Sequence, residues 1–259
     1  MGYENIIVVK GPSAVISLNR PRQMNALDKK TLQELKAAVE ELEQDRSVVA
    51  VLLTAEGDRA FCAGADLKER SSLSVPETKE VRRLLVDCFS KISRFTKPAV
   101  AAVNGPALGG GFELAMCCDF IIASENAVFG LPEVGLAIIP GGGGTVNLPR
   151  MVGINKAKEL IFTGRRIDAR EAYEIGLVSR IFPAEGFYEK SLEFMEEIAK
   201  NGPVALQQAK KSVNLGSALD INTAFELEAE CYNTCLNTED RKEGLKAFME
   251  KRRPVYMGY

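Results

Sequence analysis

Lys97-Pro-Ala-Val-Ala-Ala-Val-Asn-Gly-Pro-Ala-Leu-Gly-Gly-Gly-Phe-Glu113 passes from an apolar run of strand length, residues 99–103, through a glycine-rich turn into the start of a short helix over 112–118. Three glycines at a helix start leave backbone N–H groups uncovered, a setting that binds a negatively charged oxygen. On this reading the Gly110 N–H, with the helix dipole behind it, stabilises an oxyanion. Tight packing of helix against strand explains the same glycines equally well. A dinucleotide fingerprint fits poorly, because Ala107 stands where a second glycine should let the backbone approach a pyrophosphate.

Outward from this stretch the same rhythm repeats. Residues 5–10 and 14–18 read as two strands, and a helix over 27–43 carries Leu32, Leu35, Val39 and Leu42 at helical spacing behind the cap candidate Asp28. The β-branched run 48–54 predicts a strand buried on both faces, and a helix over 76–95 leads into the central stretch. Strands are expected at 120–124 and 127–130. Together these predict a mainly parallel α/β core. From residue 154 onward the pattern is nearly all helical, with a capping box at Asp168 and Glu171 and a stop at Gly176. The amphipathic stretch 218–236 has more apolar surface than a lone helix needs, which points to docking on the core or on another subunit.

The net charge of −2 leaves no electrostatic footprint for nucleic acid or anionic lipid. No apolar run approaches the ~20 residues that cross a bilayer. The first ten residues lack the pattern of a signal or transit peptide, so a cytoplasmic protein is expected. The six cysteines have no paired CxxC spacing, and no metal site is expected from them. The chain contains no histidine. That removes Ser-His-Asp and Cys-His nucleophiles, and proton transfer falls to carboxylates before Lys, Tyr or Cys.

Two carboxylates stand out. Glu113 lies in a first helical turn between Phe112 and Leu114, and Glu133 lies in Phe129-Gly-Leu-Pro-Glu-Val. An apolar setting raises a carboxyl pKa and keeps it useful for proton transfer near neutrality, although a first-turn glutamate also serves simply as a dipole partner. Phe61-Cys-Ala-Gly-Ala-Asp66 follows a strand and can supply a second oxyanion donor. Ile139-Pro-Gly-Gly-Gly-Gly-Thr145 reads as a turn seating the next helix. Neither is a P-loop.

In order and spacing, Asn25-Ala-Leu, Phe61-Cys-Ala-Gly-Ala-Asp-Leu-Lys68, Asn104 to Glu113, Phe129 to Glu133, Ile139 to Thr145 and residues 169–177 resemble the crotonase (enoyl-CoA hydratase/isomerase) superfamily over almost the whole chain. The resemblance implies a spiral of β-β-α turns over residues 1–200 and a C-terminal helical trimerisation region over 201–259, working as a homotrimer or homohexamer. It implies hydration of a 2-enoyl-CoA to a 3-hydroxyacyl-CoA, with no cofactor, since coenzyme A is part of the substrate. Glu113 would activate the water and Glu133 would protonate the α-carbon. The N–H groups of Ala65 and Gly110 would form the oxyanion hole. Coenzyme A contacts would come from Ala63, Ala65 and Leu67, from Leu27 and Arg22, and, in a neighbouring subunit, from Phe248 and Lys251.

Residues 61–70, 136–145, 157–162 and 243–258 are most similar to the methylglutaconyl-CoA hydratase branch, some of whose members bind AU-rich RNA. That binding relies on a row of lysines along the first long helix, whereas here Lys29, Lys30 and Lys36 alternate with Glu34, Glu40, Glu41 and Glu43. Thr145-Val-Asn-Leu148 also departs from the family's Thr-Gln-Arg-Leu. The competing readings are an enoyl-CoA isomerase, which usually keeps only the glutamate matching Glu133, and an RNA-binding protein.

Overall fold

The chain begins with an antiparallel pair, β1 (Ile6–Val9) and β2 (Ser13–Leu18), followed by α1 (Lys29–Gln44) and β3 (Ala50–Ala55). The computed structural model describes residues 2–259. Asp28 caps α1, its carboxylate accepting from the Thr31 amide at 2.7 Å. Leu32, Leu35, Val39 and Leu42 are all buried, and every residue of β3 is buried, as a strand covered on both faces requires. Next come α2 (Leu67–Ser71), α3 (Val75–Ser93), β4 (Ala99–Val103), β5 (Pro106–Leu108), α4 (Gly110–Ala115), β6 (Phe120–Ser124) and β7 (Val128–Gly130). A 3-10 turn at Pro132–Leu136 precedes α5 (Gly144–Val152), α6 (Ile154–Thr163), β8 (Ile167–Asp168), α7 (Ala169–Glu174) and β9 (Arg180–Phe182). The chain ends in α8 (Phe187–Ala199), α9 (Pro203–Gly216), α10 (Ile221–Leu236) and α11 (Glu239–Met249).

The strands form two sheets, a large one in the order β1-β2-β3-β4-β6-β9 and a small one in the order β5-β7-β8. From β2 onward every pairing in the large sheet is parallel. Successive turns of the chain give one strand to each sheet, β4 then β5 and β6 then β7, which is the expected spiral. One face of the large sheet packs against α1 and α3 through Leu35, Val39, Leu85, Phe89 and Ile92. The other is covered by α8, whose Phe187 and Met195 meet Val15, Leu52, Val100 and Ile122.

Departures from the sequence reading are local. The glycine-rich loop hides β5, which a Pro and an Ala do not announce but which pairs with β7 at Pro106↔Val128. The central helix starts two residues early, at Gly110, and stops at Ala115. The C-terminal third contains β8 and β9, strands of two and three residues too short to show a period. Asp168 does accept from the Glu171 amide at 2.8 Å, but the Glu171 carboxylate turns to the Arg165 guanidinium instead of closing a capping box. A paired charge-assisted bond outweighs a bond to one amide. The amphipathic stretch expected from 218 begins at Ile221, because Asp220 caps α10 by accepting from Asn222 and Thr223. On α1, Lys30 and Lys36 are engaged by Glu4 and Asp87, so they do not form a row of unpaired cations. Among the described residues no helix is long and apolar enough to cross a membrane.

Lys97, first residue of the stretch that defines the spiral, is 4% exposed. Its ammonium donates to the carbonyls of Leu42 at 2.7 Å and Asp45 at 2.6 Å, closing the C-terminus of α1, where a helix leaves acceptors unpaired. Burial holds its pKa below the ordinary lysine value, against the opposing pull of Glu43 and Asp45. Lys97→Met keeps the stem and strands both carbonyls. It is expected to cost about 1–3 kcal/mol in denaturant unfolding; a loss below a few tenths of a kcal/mol would show that water replaces the lysine.

Candidate active site

Both glutamates face one cavity of about 550 Å³, lined among others by Ala63, Ala65, Leu67, Gly110 and Gly142. The segments that carry them are joined. Gly109 N–H donates to the Gly130 carbonyl at 2.9 Å, and the rings of Phe112 and Phe129 pack at 5.3 Å between centroids. The two side chains are therefore positioned by one rigid junction of α4, β5 and β7.

Glu113 is 2% exposed. Its Oε1 accepts from the amides of Gly142 at 2.7 Å and Gly144 at 2.8 Å. Burial nevertheless raises its pKa, outweighing those two amides and the more distant charges of Arg70 and Arg82. The other oxygen, Oε2, has no hydrogen-bond partner among the described residues, so one oxygen fixes the carboxyl while the other is available for chemistry. Burial likewise pushes the Glu133 pKa up to about 7, with the Glu113 charge adding to it. Glu133 Oε2 is buried without a hydrogen-bond partner. A half-buried carboxyl with one oxygen left unpartnered and a pKa near neutrality is costly for stability and suited to giving up a proton.

The backbone supplies the complementary charge. Ala65 N lies 3.6 Å from the point a Cβ would occupy on Gly110, and among the described residues neither Ala65 nor Gly110 donates its N–H within the chain. Ala65 is kept in this state by its neighbours. Leu27 N–H donates to the Gly64 carbonyl at 2.8 Å and Asp66 N–H to the Leu27 carbonyl at 3.0 Å, so the strand-like bridge Leu27↔Ala65 leaves the Ala65 amide pointing away. Gly64 adopts φ +94°, and a side chain there would meet the Leu108 carbonyl at 2.8 Å. Glycine is required for the two loops to approach.

Of the other residues singled out from sequence, Ala63 and Leu67 line the cavity with Ala65, and Leu27 is buried beneath it. Arg22 opens instead onto a separate polar recess with Arg20 and Lys30. Phe248 and Lys251 belong to the exposed end of α11 and its C-terminal turn, away from this chain's cavity. Sequence reasoning missed the role of the second glycine run. It does seat α5, but its amides also hold Glu113; alternate glycine amides with no side chain to obstruct them were the available signal. It also missed Arg70 and Arg82, which line the same cavity.

An α/β spiral that turns two elevated carboxyl groups and two free amides into one cavity defines an acid–base enzyme of the enolate-stabilising kind. The chain belongs to the enoyl-CoA hydratase/isomerase family, whose model matches residues 10–258. It is 46% identical over 258 residues to the crotonyl-CoA hydratase of Syntrophomonas wolfei subsp. wolfei, covering 99% of each chain. It is 42% identical over 248 residues to human mitochondrial methylglutaconyl-CoA hydratase, covering 94% of this chain and 73% of that one. The crystal structure of enoyl-CoA hydratase from Bacillus anthracis superposes with a TM-score of 0.97 at 44% identity, covering 99% of this chain and all of the other.

Proposed function

We propose that this enoyl-CoA hydratase adds water reversibly, in the syn sense, across the double bond of short-chain 2-enoyl-CoA thioesters, with Glu113, Glu133 and the amides of Ala65 and Gly110 as its working groups. The observation that carries the assignment is the pairing of two raised carboxyls with two undonated amides around one cavity. The amides accept the thioester oxygen and draw charge from C3. Glu113, ionised, takes a proton from water as the water oxygen bonds to C3. Glu133, protonated, gives its proton to C2 as the enolate collapses. No cofactor is needed, because coenzyme A arrives with the substrate.

Crotonyl-CoA in D₂O tests this. Loss of the enoyl-thioester ultraviolet absorbance, with one deuterium at C2 on the same face as the new C3 hydroxyl, is the expected result. A product in which the double bond has only moved would reassign the chemistry to isomerisation.

A second reading of the substrate, a branched acyl group ending in a carboxylate, is favoured by Arg70 and Arg82, which line the cavity and form no ion pair with the chain among the described residues. A higher kcat/KM for 3-methylglutaconyl-CoA than for crotonyl-CoA supports it, and the reverse order refutes it. We further propose assembly as a homotrimer or homohexamer in the cytoplasm, with Phe248 and Lys251 serving a neighbour's coenzyme A. Phe225 and Tyr232 on α10, with Phe248 and Met249 on α11, are large apolar groups exposed on the single chain, which supports an assembly that covers them.

A further inference from the structure

We infer that Arg20 is a positioning residue for the oxyanion hole, a clamp that fixes where the Ala65 amide points; this rests on the assignment of Ala65 and Gly110 as the oxyanion donors. The Arg20 side chain is 16% exposed and its Nη2 lies 3.1 Å from both Asp28 Oδ2 and Asp66 Oδ2. Its Nη1 donates to the Ala26 carbonyl at 2.5 Å. Each aspartate divides its work between its two oxygens. Asp28 uses Oδ1 to cap α1 at the Thr31 amide, and Asp66 uses Oδ1 to cap α2 at the Lys68 amide, 3.1 Å away. Oδ2 of each faces Arg20, that of Asp28 also accepting from Asn5 Nδ2 at 3.5 Å. One guanidinium thus ties together the N-termini of two helices.

The bridge Leu27↔Ala65 lies between those two caps. Leu27 is next to Asp28 and Ala65 is next to Asp66, and the Ala26 carbonyl that Arg20 also holds precedes Leu27, so short paths run from the clamp to the oxyanion donor. Asp66 N–H is itself part of the bridge, through the Leu27 carbonyl. Without Arg20, two half-buried carboxylates would face each other with no cation between them, and their repulsion would open the bridge at the residue flanking the donor. Nothing in the cavity would be deleted. Arg20 does not line it. The expected defect is therefore in the direction of the Ala65 N–H and not in substrate contact, and a misplacement of about 1 Å at such a donor can lower a rate by about 100-fold.

The test pairs kinetics with the infrared carbonyl stretch of a bound enoyl-CoA labelled with ¹³C at the thioester carbon, a frequency that falls as the oxyanion donors polarise the bond. Arg20→Met is expected to lose most of the shift and to lower kcat for crotonyl-CoA by about 10- to 100-fold, with KM within about twofold. Arg20→Lys should recover part of both. Lys210→Met is the control: it removes another well-buried pair, Lys210 with Asp119 at 2.8 Å, neither of which lines the cavity, and should leave the shift as in the wild type. If Arg20→Met does not fold, Asp66→Asn decides the matter, because asparagine can still cap α2 while breaking the pairing. A wild-type shift and kcat in Arg20→Met, or in Asp66→Asn where that is the soluble variant, overturns the clamp, as does an equal loss in Lys210→Met. An Arg20-dependent shift in a protein that fails to hydrate crotonyl-CoA would keep the clamp and sink the proposed reaction.

Discussion

Glu133→Gln is expected to lower kcat for hydration of crotonyl-CoA by about 1,000-fold, within the 10²- to 10⁴-fold range of a positioned proton donor, while substrate binding changes little. The amide keeps the volume and removes the proton that the proposed mechanism delivers to C2. The pH profile should follow from the same group. In the proposed mechanism the active form has Glu113 ionised and Glu133 protonated, so kcat/KM is expected to fall as pH rises through about 7, where Glu133 loses its proton, and to fall again on the acid side once Glu113 is protonated. The two groups share one site, and the two limbs belong to the pair. Stopped-flow absorbance across pH 5–9 checks both limbs. A variant retaining more than a tenth of the wild-type rate would remove Glu133 from the reaction.

Stability should move the other way. Folding raises the Glu133 pKa from 4.5 to about 7, so between those values the folded state binds more protons than the unfolded one. The contribution of this group is fully present below pH 4.5 and is lost as pH rises through 7. Glutamine does not titrate. Glu133→Gln should therefore gain on the wild type across that window, by about 1–2 kcal/mol after allowance for the half-exposed carboxyl. A more stable and nearly inactive variant is the signature of a group kept for chemistry.

The parts of this architecture that were legible in sequence are those with a period or a required residue. Leu32, Leu35, Val39 and Leu42 repeat at helical spacing because one face of α1 must be dry, and the runs in β3 and β4 are apolar throughout because both faces are covered. Glu113 and Glu133 were visible as carboxylates without basic neighbours in apolar, glycine-flanked segments. What stayed hidden depends on contacts distant in sequence. Nothing near Glu113 announces that the amides of Gly142 and Gly144 hold it. Arg20 has the appearance of a surface charge until Asp28 and Asp66 are brought to either side of it. The strands β5 and β8 owe their existence to β7 lying between them, and not to their own two or three residues.

The close approach of the two loops sets the second large effect. A Cβ on Gly111 would lie 2.2 Å from the Cys62 carbonyl oxygen and 2.6 Å from the Cys62 Cβ, at the point where Cys62 N–H donates to Pro106 and Leu108 N–H donates back to Cys62. Neither partner is a flexible side-chain end, so in Gly111→Ala the start of α4 must retreat by roughly 1 Å, carrying the Gly110 amide away from Ala65. The expected result is a loss of about 100- to 1,000-fold in kcat, together with about 1–3 kcal/mol of stability from overpacking. Gly110→Ala separates the two consequences. Its Cβ meets nothing nearer than 3.6 Å, so the fold should be kept, yet that nearest atom is the Ala65 nitrogen, and the methyl group would sit against the donor the oxyanion needs. Thermal unfolding and kcat measured on both variants distinguish backbone displacement from occlusion: Gly111→Ala should fail in both, Gly110→Ala in activity alone. If Gly111→Ala unfolded at the wild-type temperature with wild-type kcat, the two amides would not be held together by this contact, and the reason for a glycine at each of positions 109, 110 and 111 would have to be sought outside the oxyanion hole.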